Sequence, residues 1–308
     1  MYNPLLMEIN TPAIKTSKSW LSFVVIHVLF MGVWGSLIEL PEKNGFPATL
    51  GYIVWALTMI PAAIVALLYN GWKIEKDKRS IFLGCLAGLL GAAGQLVLFY
   101  TLQVAPAYLV FPLLSLTPVV TILLAVLFLK EKTGRMGWMG IVVAVIAILM
   151  LSYQTPGGST VTGYSWMLLS AICLVAWGAQ GFVMRFSNES MRAESIFFYM
   201  MISSVLLIPV ALLMTDFNKS IDWGFKGPGL AAIIQILNSF GALCLVYAFR
   251  YGKAIIIAPM TTALSPVLTV VLSLAIYAVV PHPVIIGGMV LAIISALLMA
   301  LEELKTTK

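Results

Sequence analysis

Four amide side chains lie within long apolar stretches of the sequence, where they could bind a polar molecule. They are Gln95, Gln180, Gln235 and Asn238. An amide donates and accepts hydrogen bonds, so it can recognise hydroxyl, amino or carboxylate groups without carrying charge. The same amides can instead join helices to one another, at about 1 kcal/mol each. Asn238 is the strongest candidate for solute contact, because Gln235 precedes it by three residues on the same helix face.

Two ionisable side chains are candidates for coupling to protons. His27 stands well inside the first apolar stretch, and a histidine side chain titrates close to neutral pH. A lone histidine in such a place can equally be a neutral side chain that joins two helices. Glu39 ends the same stretch, where it could line the mouth of a cavity or lie on an ordinary surface. Both alternatives remain for each residue.

Aromatic side chains occur in matched pairs. Trp34 corresponds to Trp177, and Tyr100 corresponds to Tyr247. Paired rings with a few amides are typical of small-molecule sites, although Trp and Tyr are also common at membrane interfaces. We therefore include all four rings among the predicted substrate-binding residues.

The composition indicates a membrane protein. Of 308 residues, 61% are hydrophobic and only 10% are charged, whereas ordinary soluble domains carry about 25% charge. The net charge of +6 lies in short connectors and not on one basic face, so no nucleic-acid partner is expected. The three cysteines show no CxxC spacing, and we expect neither a metal site nor a cofactor.

A membrane span needs about 20 apolar residues, and on that basis the sequence predicts an all-α membrane protein with ten transmembrane helices. The predicted helices are 20–40, 49–69, 81–101, 107–129, 136–153, 164–184, 195–215, 229–249, 254–280 and 284–301. All but three of the 18 Lys and Arg residues fall on one side, the exceptions being Lys43, Lys219 and Lys226. Positive charge marks the cytoplasmic side. We therefore expect a multi-pass protein of the cell membrane with both termini in the cytoplasm.

The two halves of the chain resemble each other. The matched positions are Trp34 and Trp177, Pro118 and Pro266, Thr121 and Thr269, and Gly140 and Gly288. We therefore predict two five-helix repeats, residues 1–155 and 156–308. Because five is odd, the second repeat must enter the membrane in the opposite sense. Inverted repeats of this kind are typical of secondary transporters, which bind their solute near the bilayer midplane.

Proline interrupts helices 4 and 9 at matched positions. Pro118 and Pro266 have no N–H group to donate to the carbonyls of Leu114 and Thr262. Free carbonyls are costly in lipid unless hydroxyl groups, neighbouring helices or a water-filled cavity satisfy them. We predict that both helices are kinked and that the kinks shape a cavity or act as hinges for gating.

The ten-span layout, the Trp-Gly pair of helix 1 and the pattern Pro-x(10)-Leu-x-Glu from Pro118 to Glu131 resemble the drug/metabolite transporter superfamily, EamA type. Gly137 and Gly140 in helix 5 fit the same pattern. The resemblance implies alternating access by two inverted halves, with helices 1, 3, 4, 6, 8 and 9 around a central cavity. Helix 9 departs from the pattern, because no Leu-x-Glu follows it. Members carry diverse solutes, so the resemblance does not identify the cargo.

The predicted function is secondary transport of a small neutral or zwitterionic metabolite, such as an amino acid or a sugar. No Lys or Arg lies at membrane depth, where a phosphorylated solute would need one. Export is the leading hypothesis, with proton coupling left open, and a passive facilitator or a sugar uptake carrier is the alternative. An intramembrane enzyme and a non-transporting sensor or scaffold are remote, because no catalytic constellation is visible. The expected partners are the solute, the lipid bilayer and, as an open alternative, a second copy in a homo-oligomer.

Overall fold

The computed structural model describes residues 19–105, 110, 113–153, 164–277 and 282–306, and within these ranges the chain is all-helical. In chain order the helices are α1 (Ser19–Leu37), α2 (Glu39–Lys43), α3 (Ala48–Tyr69), α4 (Lys78–Val104), α5 (Thr117–Phe128), α6 (Arg135–Leu151), α7 (Ser165–Ser187), α8 (Ala193–Leu206), α9 (Ile208–Leu213), α10 (Leu230–Tyr251), α11 (Ala254–Tyr277) and α12 (Pro283–Thr306). A π-helical turn, Phe225–Gly229, leads into α10.

These elements account for the predicted architecture of ten transmembrane helices. In the described ranges, eight helical segments are long and apolar enough to cross a membrane, counting α1 with α2 and α8 with α9 as single spans. The remaining two spans are the shorter apolar helices α5 and α6. The prediction of an all-α membrane protein with ten spans is therefore confirmed.

Helix 4 differs from its prediction as one kinked helix over 107–129. The chain makes a turn at Ser115 and Leu116, and α5 begins at Thr117 with Pro118 in its first turn. Proline suits that position, because the first N–H groups of a helix have no partner within the helix. The Leu114 carbonyl accepts the Thr117 hydroxyl at 2.5 Å. Pro118 thus starts a helix, whereas Pro266 stands inside α11. Residues 106–109 and 111–112 lie outside the described part.

Helix 7 is also broken. The predicted span 195–215 is formed by α8, which ends at Leu206, and α9, which begins at Ile208. Pro209 explains the interruption, because it cannot donate to the carbonyl four residues earlier. Breaks were predicted only at the prolines of helices 4 and 9, so the break at Pro209 was not predicted.

Helix contacts repeat when the two halves are exchanged. The packing of α4 on α7 corresponds to that of α10 on α1, and α4 on α8 corresponds to α10 on α3. Likewise, α5 packs on α7 as α11 packs on α1. In three further contacts a helix packs against its own counterpart from the other half: α6 against α12, α3 against α8 and α5 against α11. This is the pattern of a twofold relation between two five-helix units. The predicted boundary at 155/156 lies in 154–163, outside the described residues.

Matched glycines bring α6 and α12 together. A Cβ atom placed on Gly140 would lie 3.1 Å from the Ser295 carbonyl oxygen, and one on Gly288 would lie 3.1 Å from the Ala147 carbonyl oxygen. The two contacts are equivalent under the repeat. Lipid gives helices no hydrophobic reason to associate, so close backbone approach at small residues is the main source of their packing energy.

Matched threonines join the halves elsewhere. The Thr121 hydroxyl on α5 donates to the Gly178 carbonyl on α7 at 2.8 Å. The Thr269 hydroxyl on α11 donates to the Gly32 carbonyl on α1 at 3.1 Å. In both cases a side chain added to a glycine of the facing helix would collide with the threonine hydroxyl. These two contacts hold α5 and α11 against the opposite half of the protein.

Candidate functional site

Two tryptophans at matched positions each reach across to the other half. The Trp34 indole N–H donates to the Gln235 side-chain oxygen at 3.0 Å, which joins α1 to α10. The Trp177 indole N–H donates to the Gly91 carbonyl at 3.1 Å, which joins α7 to α4. Both rings are only partly buried. The two matched rings therefore join matched helix pairs across the halves, one of them through a predicted amide. Their role in substrate binding stays a prediction.

The glycines of α4 make room for the second of these contacts. Trp177 lies against Gly94, where a Cβ atom would come within 2.6 Å of the indole nitrogen. The Gln180 amide lies against Gly91 in the same way. Any larger residue at Gly91 or Gly94 would displace these side chains. The small residues of α4 thus position a predicted site residue as well as pack helices.

Three of the predicted amides keep free hydrogen-bonding capacity. Gln95, Gln180 and Asn238 are partly accessible, and within the described ranges none of them makes a hydrogen bond. An amide that faces lipid without a partner costs several kcal/mol. Side chains in this condition indicate a polar, water-accessible space. Asn238 lies one turn from Gln235 on α10, close in depth to the bond from Trp34.

The tyrosine pair does not share a site. Tyr247 lies near the end of α10 that carries Arg250, and its hydroxyl donates to the Glu194 carboxylate at 2.7 Å. Tyr100 lies near the far end of α4 and its side chain is 50% exposed. We call the end with Arg185, Arg192 and Arg250 the basic end. Inverted repeats place equivalent residues at opposite ends unless they lie near the midplane, which explains the separation.

His27 joins two helices. Its Nδ1 atom donates to the Gly241 carbonyl at 2.8 Å, and the side chain is buried. Glu39 is exposed at the end opposite the basic end, where its carboxylate pairs with Lys43 at 2.8 Å. These positions do not test proton coupling, which stays a prediction for both residues.

We expect His27→Asn to keep the folded protein intact, because the asparagine amide can donate from the place of Nδ1. His27→Leu loses the bond and should lower stability by about 1 kcal/mol, measured by thermal unfolding in detergent.

The same variants test proton coupling. We expect His27→Asn to lose pH-driven flux and to retain exchange at equal pH. Full pH-driven flux in His27→Asn would leave the residue only its helix-joining role.

A buried carboxylate connects three helices at the basic end. Glu131 accepts from the Arg185 Nε atom at 2.9 Å and from the Ile255 backbone N–H at 3.1 Å. It is 8% exposed. Lys130 has a left-handed backbone (φ 53°), which ends the helix and turns Glu131 inward. We call Glu131, Arg185 and Ile255 the Glu131 bridge. The sequence pattern named Glu131 but could not supply its partners.

A second acidic contact fixes the connector between α3 and α4. Glu75 pairs with the Arg192 guanidinium at 3.4 Å and accepts the Ser195 hydroxyl at the start of α8. The Tyr199 hydroxyl donates to the Glu75 carbonyl at 2.7 Å. Asp77 caps α4 by accepting from the Ser80 N–H, and hydrogen bonds from the side chain and backbone of Ser80 lower the pKa of Asp77. Together with the Glu131 bridge, these contacts join both halves at the basic end.

The described part of the chain contains no group of three or more His, Cys, Asp or Glu side chains that could hold a metal ion. The described contacts comprise hydrogen bonds between neutral groups near mid-depth and ion pairs near the two ends.

Comparison with known proteins decides the family. The sequence pattern of the family described as "EamA-like transporter family" matches residues 18–153 and, a second time, residues 161–301. The chain belongs to the EamA-like transporter family. The double match agrees with the two repeats seen in the helix contacts, and membership confirms the resemblance found in the sequence. It makes the chain a multi-pass membrane transporter and favours transport over intramembrane catalysis.

Relatives include named transporters. The pseudopaline exporter CntI of Pseudomonas aeruginosa is 24% identical over 280 residues, covering 90% of this chain and 95% of CntI. Protein LicB of Haemophilus influenzae is 25% identical, covering 74% of this chain and 79% of LicB. A probable 4-amino-4-deoxy-L-arabinose-phosphoundecaprenol flippase subunit, ArnE of Photorhabdus laumondii, is 31% identical over 83 residues, covering 26% of this chain and 74% of ArnE.

The fold is shared with a solved crystal structure. It has a TM-score of 0.75 at 16% identity and covers 91% of this chain and 98% of its own. At that identity the likeness concerns the fold alone.

Proposed function

We propose that this transporter exports a small neutral or zwitterionic metabolite by alternating access. The observation that carries the proposal is the set of partly accessible amides, Gln95, Gln180 and Asn238, near the contacts between the halves. In the described spans, Lys and Arg occur only in first or last turns, at the basic end except for Lys43 and Lys226 at the opposite end. Neutral donors and acceptors suit an uncharged or internally balanced solute, whereas a phosphorylated one would lack a cationic partner.

The direction of transport rests on two supports. The excess of Lys and Arg supports a cytoplasmic basic end, with both termini on that side. A relative that covers nearly the whole chain is named as an exporter. We therefore propose that solute enters at the basic end and leaves at the opposite face.

A thermal-shift screen of the purified protein tests the solute class. A neutral or zwitterionic metabolite that binds should stabilise the protein by about 2.7 kcal/mol at 100 times its Kd. Sugar phosphates should give no shift. Tight binding of a sugar phosphate, with no response to neutral solutes, would overturn the proposed class.

We expect Asn238→Leu to weaken binding of a solute found in this screen by about 3- to 10-fold, because one hydrogen bond is lost. Asn218→Leu, in an exposed connector, is the matched control. Flux into proteoliposomes with and without a pH gradient then distinguishes coupled transport from a passive facilitator. Equal affinity in the Asn238 variant and the control would remove Asn238 from the site.

A further inference from the structure

A cavity of about 230 Å³ lies between the residues just before α5, the end of α6 and α11. The first two segments belong to the first half of the chain and the third to the second half, so the cavity lies between the repeats. Leu114, Ile148 and Leu151 supply aliphatic wall, and Ser115, Ser152 and Thr262 are the polar residues that line it. The volume is below the roughly 300–1,000 Å³ of drug-sized ligand pockets. It suits a molecule about as large as an amino acid.

Most polar groups in this wall are already satisfied. The Ser152 hydroxyl donates to the Ile148 carbonyl at 2.8 Å. The Leu114 carbonyl receives no hydrogen bond from Pro118, and it accepts one from the Thr117 hydroxyl instead. Ser115 has a partner as well. These groups gain little from a bound ligand.

Thr262 is different. Its hydroxyl makes no hydrogen bond within the described ranges, whereas the neighbouring Thr261 hydroxyl donates to the Ile257 carbonyl at 2.8 Å. In addition, Pro266 has no N–H for the Thr262 carbonyl. One residue in the cavity wall thus presents two oxygen atoms with unused accepting capacity. Groups in that condition normally find a partner when they are buried.

We infer that this cavity is a subsite for the solute, in which Thr262 accepts hydrogen bonds from an amino or hydroxyl group attached to a small aliphatic body. The aliphatic body contacts Leu114, Ile148 and Leu151, and Pro266 keeps the Thr262 carbonyl available. The inference rests on the proposed transport function, because it assigns this space to the transported molecule. A lipid acyl chain would suit the aliphatic walls and would make no use of Thr262.

Leucinol is the probe, since it joins an amino and a hydroxyl donor to an isobutyl group. Its N,N,N,O-tetramethyl derivative keeps the positive charge and the aliphatic body but has no hydrogen-bond donor. We expect leucinol to stabilise the full-length protein in thermal shift, and the methylated derivative to bind at least tenfold more weakly. Thr262→Val should weaken leucinol binding about tenfold, because one hydrogen bond to a charged donor is lost.

Two further variants make the test specific. Thr261→Val removes a hydroxyl that is satisfied within its own helix and should leave leucinol binding unchanged. Pro266→Ala supplies an N–H for the Thr262 carbonyl and should weaken binding as Thr262→Val does. Wild-type protein that does not bind leucinol, or Thr262→Val protein that binds it as wild type does, overturns the subsite. Either result leaves the proposed function untouched, because the thermal-shift screen tests that function separately with other metabolites.

Discussion

Glu131→Ala should open the basic end of the bundle. The Glu131 bridge holds the ends of α5, α7 and α11 together through two carboxylate oxygens, both of which the alanine variant lacks. Removing one partner of a buried ion pair costs about 3 kcal/mol. We expect the ratio of open to closed protein at this end to rise roughly 100-fold.

Glu131→Gln should have a much smaller effect than Glu131→Ala. Burial raises the pKa of Glu131, and the nearby Arg185 charge opposes that rise only in part. The charged form therefore pays for its desolvation, a cost that glutamine avoids while keeping one acceptor. By the same linkage, protonation of Glu131 favours the closed form, and this protonation-linked contribution is fully present below the lower pKa that the carboxyl has when exposed. It decreases as pH rises through the higher folded pKa.

Cysteine labelling measures the opening. Ala254→Cys, at a fully buried position beside Ile255, would report access after Cys85, Cys173 and Cys244 have been replaced. Glu189→Ala is the matched control, because Glu189 is half-exposed and only 3.6 Å from the Arg185 guanidinium. Equal labelling rates in Glu131→Ala and Glu189→Ala would show that the Glu131 bridge does not close this end.

The repeat could be predicted because its signal is local. Gly140 and Gly288, or Thr121 and Thr269, occupy matched places in the sequence, and in the structure they make equivalent contacts across the halves. Glycine and threonine have few alternatives at such points, since a larger side chain would collide with a neighbouring helix. The architecture could therefore be predicted from the spacing of residues that few other side chains can replace.

The contacts of single polar residues could not be predicted in this way. Nothing in the sequence near Glu131 indicates that Arg185 and the start of α11 will lie beside it, because both are brought there by the fold. Glu194 and Tyr247 are a second example: the sequence pattern singled out Tyr247 but not Glu194, and together they form a partly buried hydrogen bond. Such partners depend on helix packing across a long separation in sequence.

The breaks in helices 4 and 7 show a different limit. Hydropathy reads an apolar run as one span, because it records composition and not backbone conformation. Pro118 and Pro209 each stand in the first turn of a new helical segment. A proline that starts a helix and a proline that kinks one look alike in the sequence. Only the position of the preceding turn separates them.

The contact between α6 and α12 should be sensitive to added volume. Gly288→Leu places a side chain against the Ala147 carbonyl and the Leu151 backbone nitrogen, which lie 3.1 and 3.0 Å from the position of a Cβ atom. Backbone atoms cannot move aside without separating the helices. We expect a loss of about 1–3 kcal/mol in the free energy of unfolding, measured by thermal unfolding in detergent.

Gly287→Leu is the matched control, because a Cβ atom there meets only the flexible end of Met150, at 2.8 Å. That side chain can change rotamer, so the control should lose much less stability. Gly140→Leu should match Gly288→Leu, because the repeat gives Gly140 the equivalent contact with the Ser295 carbonyl. A variant of Gly140 as stable as wild type, beside a destabilised Gly288 variant, would contradict the twofold relation at the place where the two halves meet through their last helices.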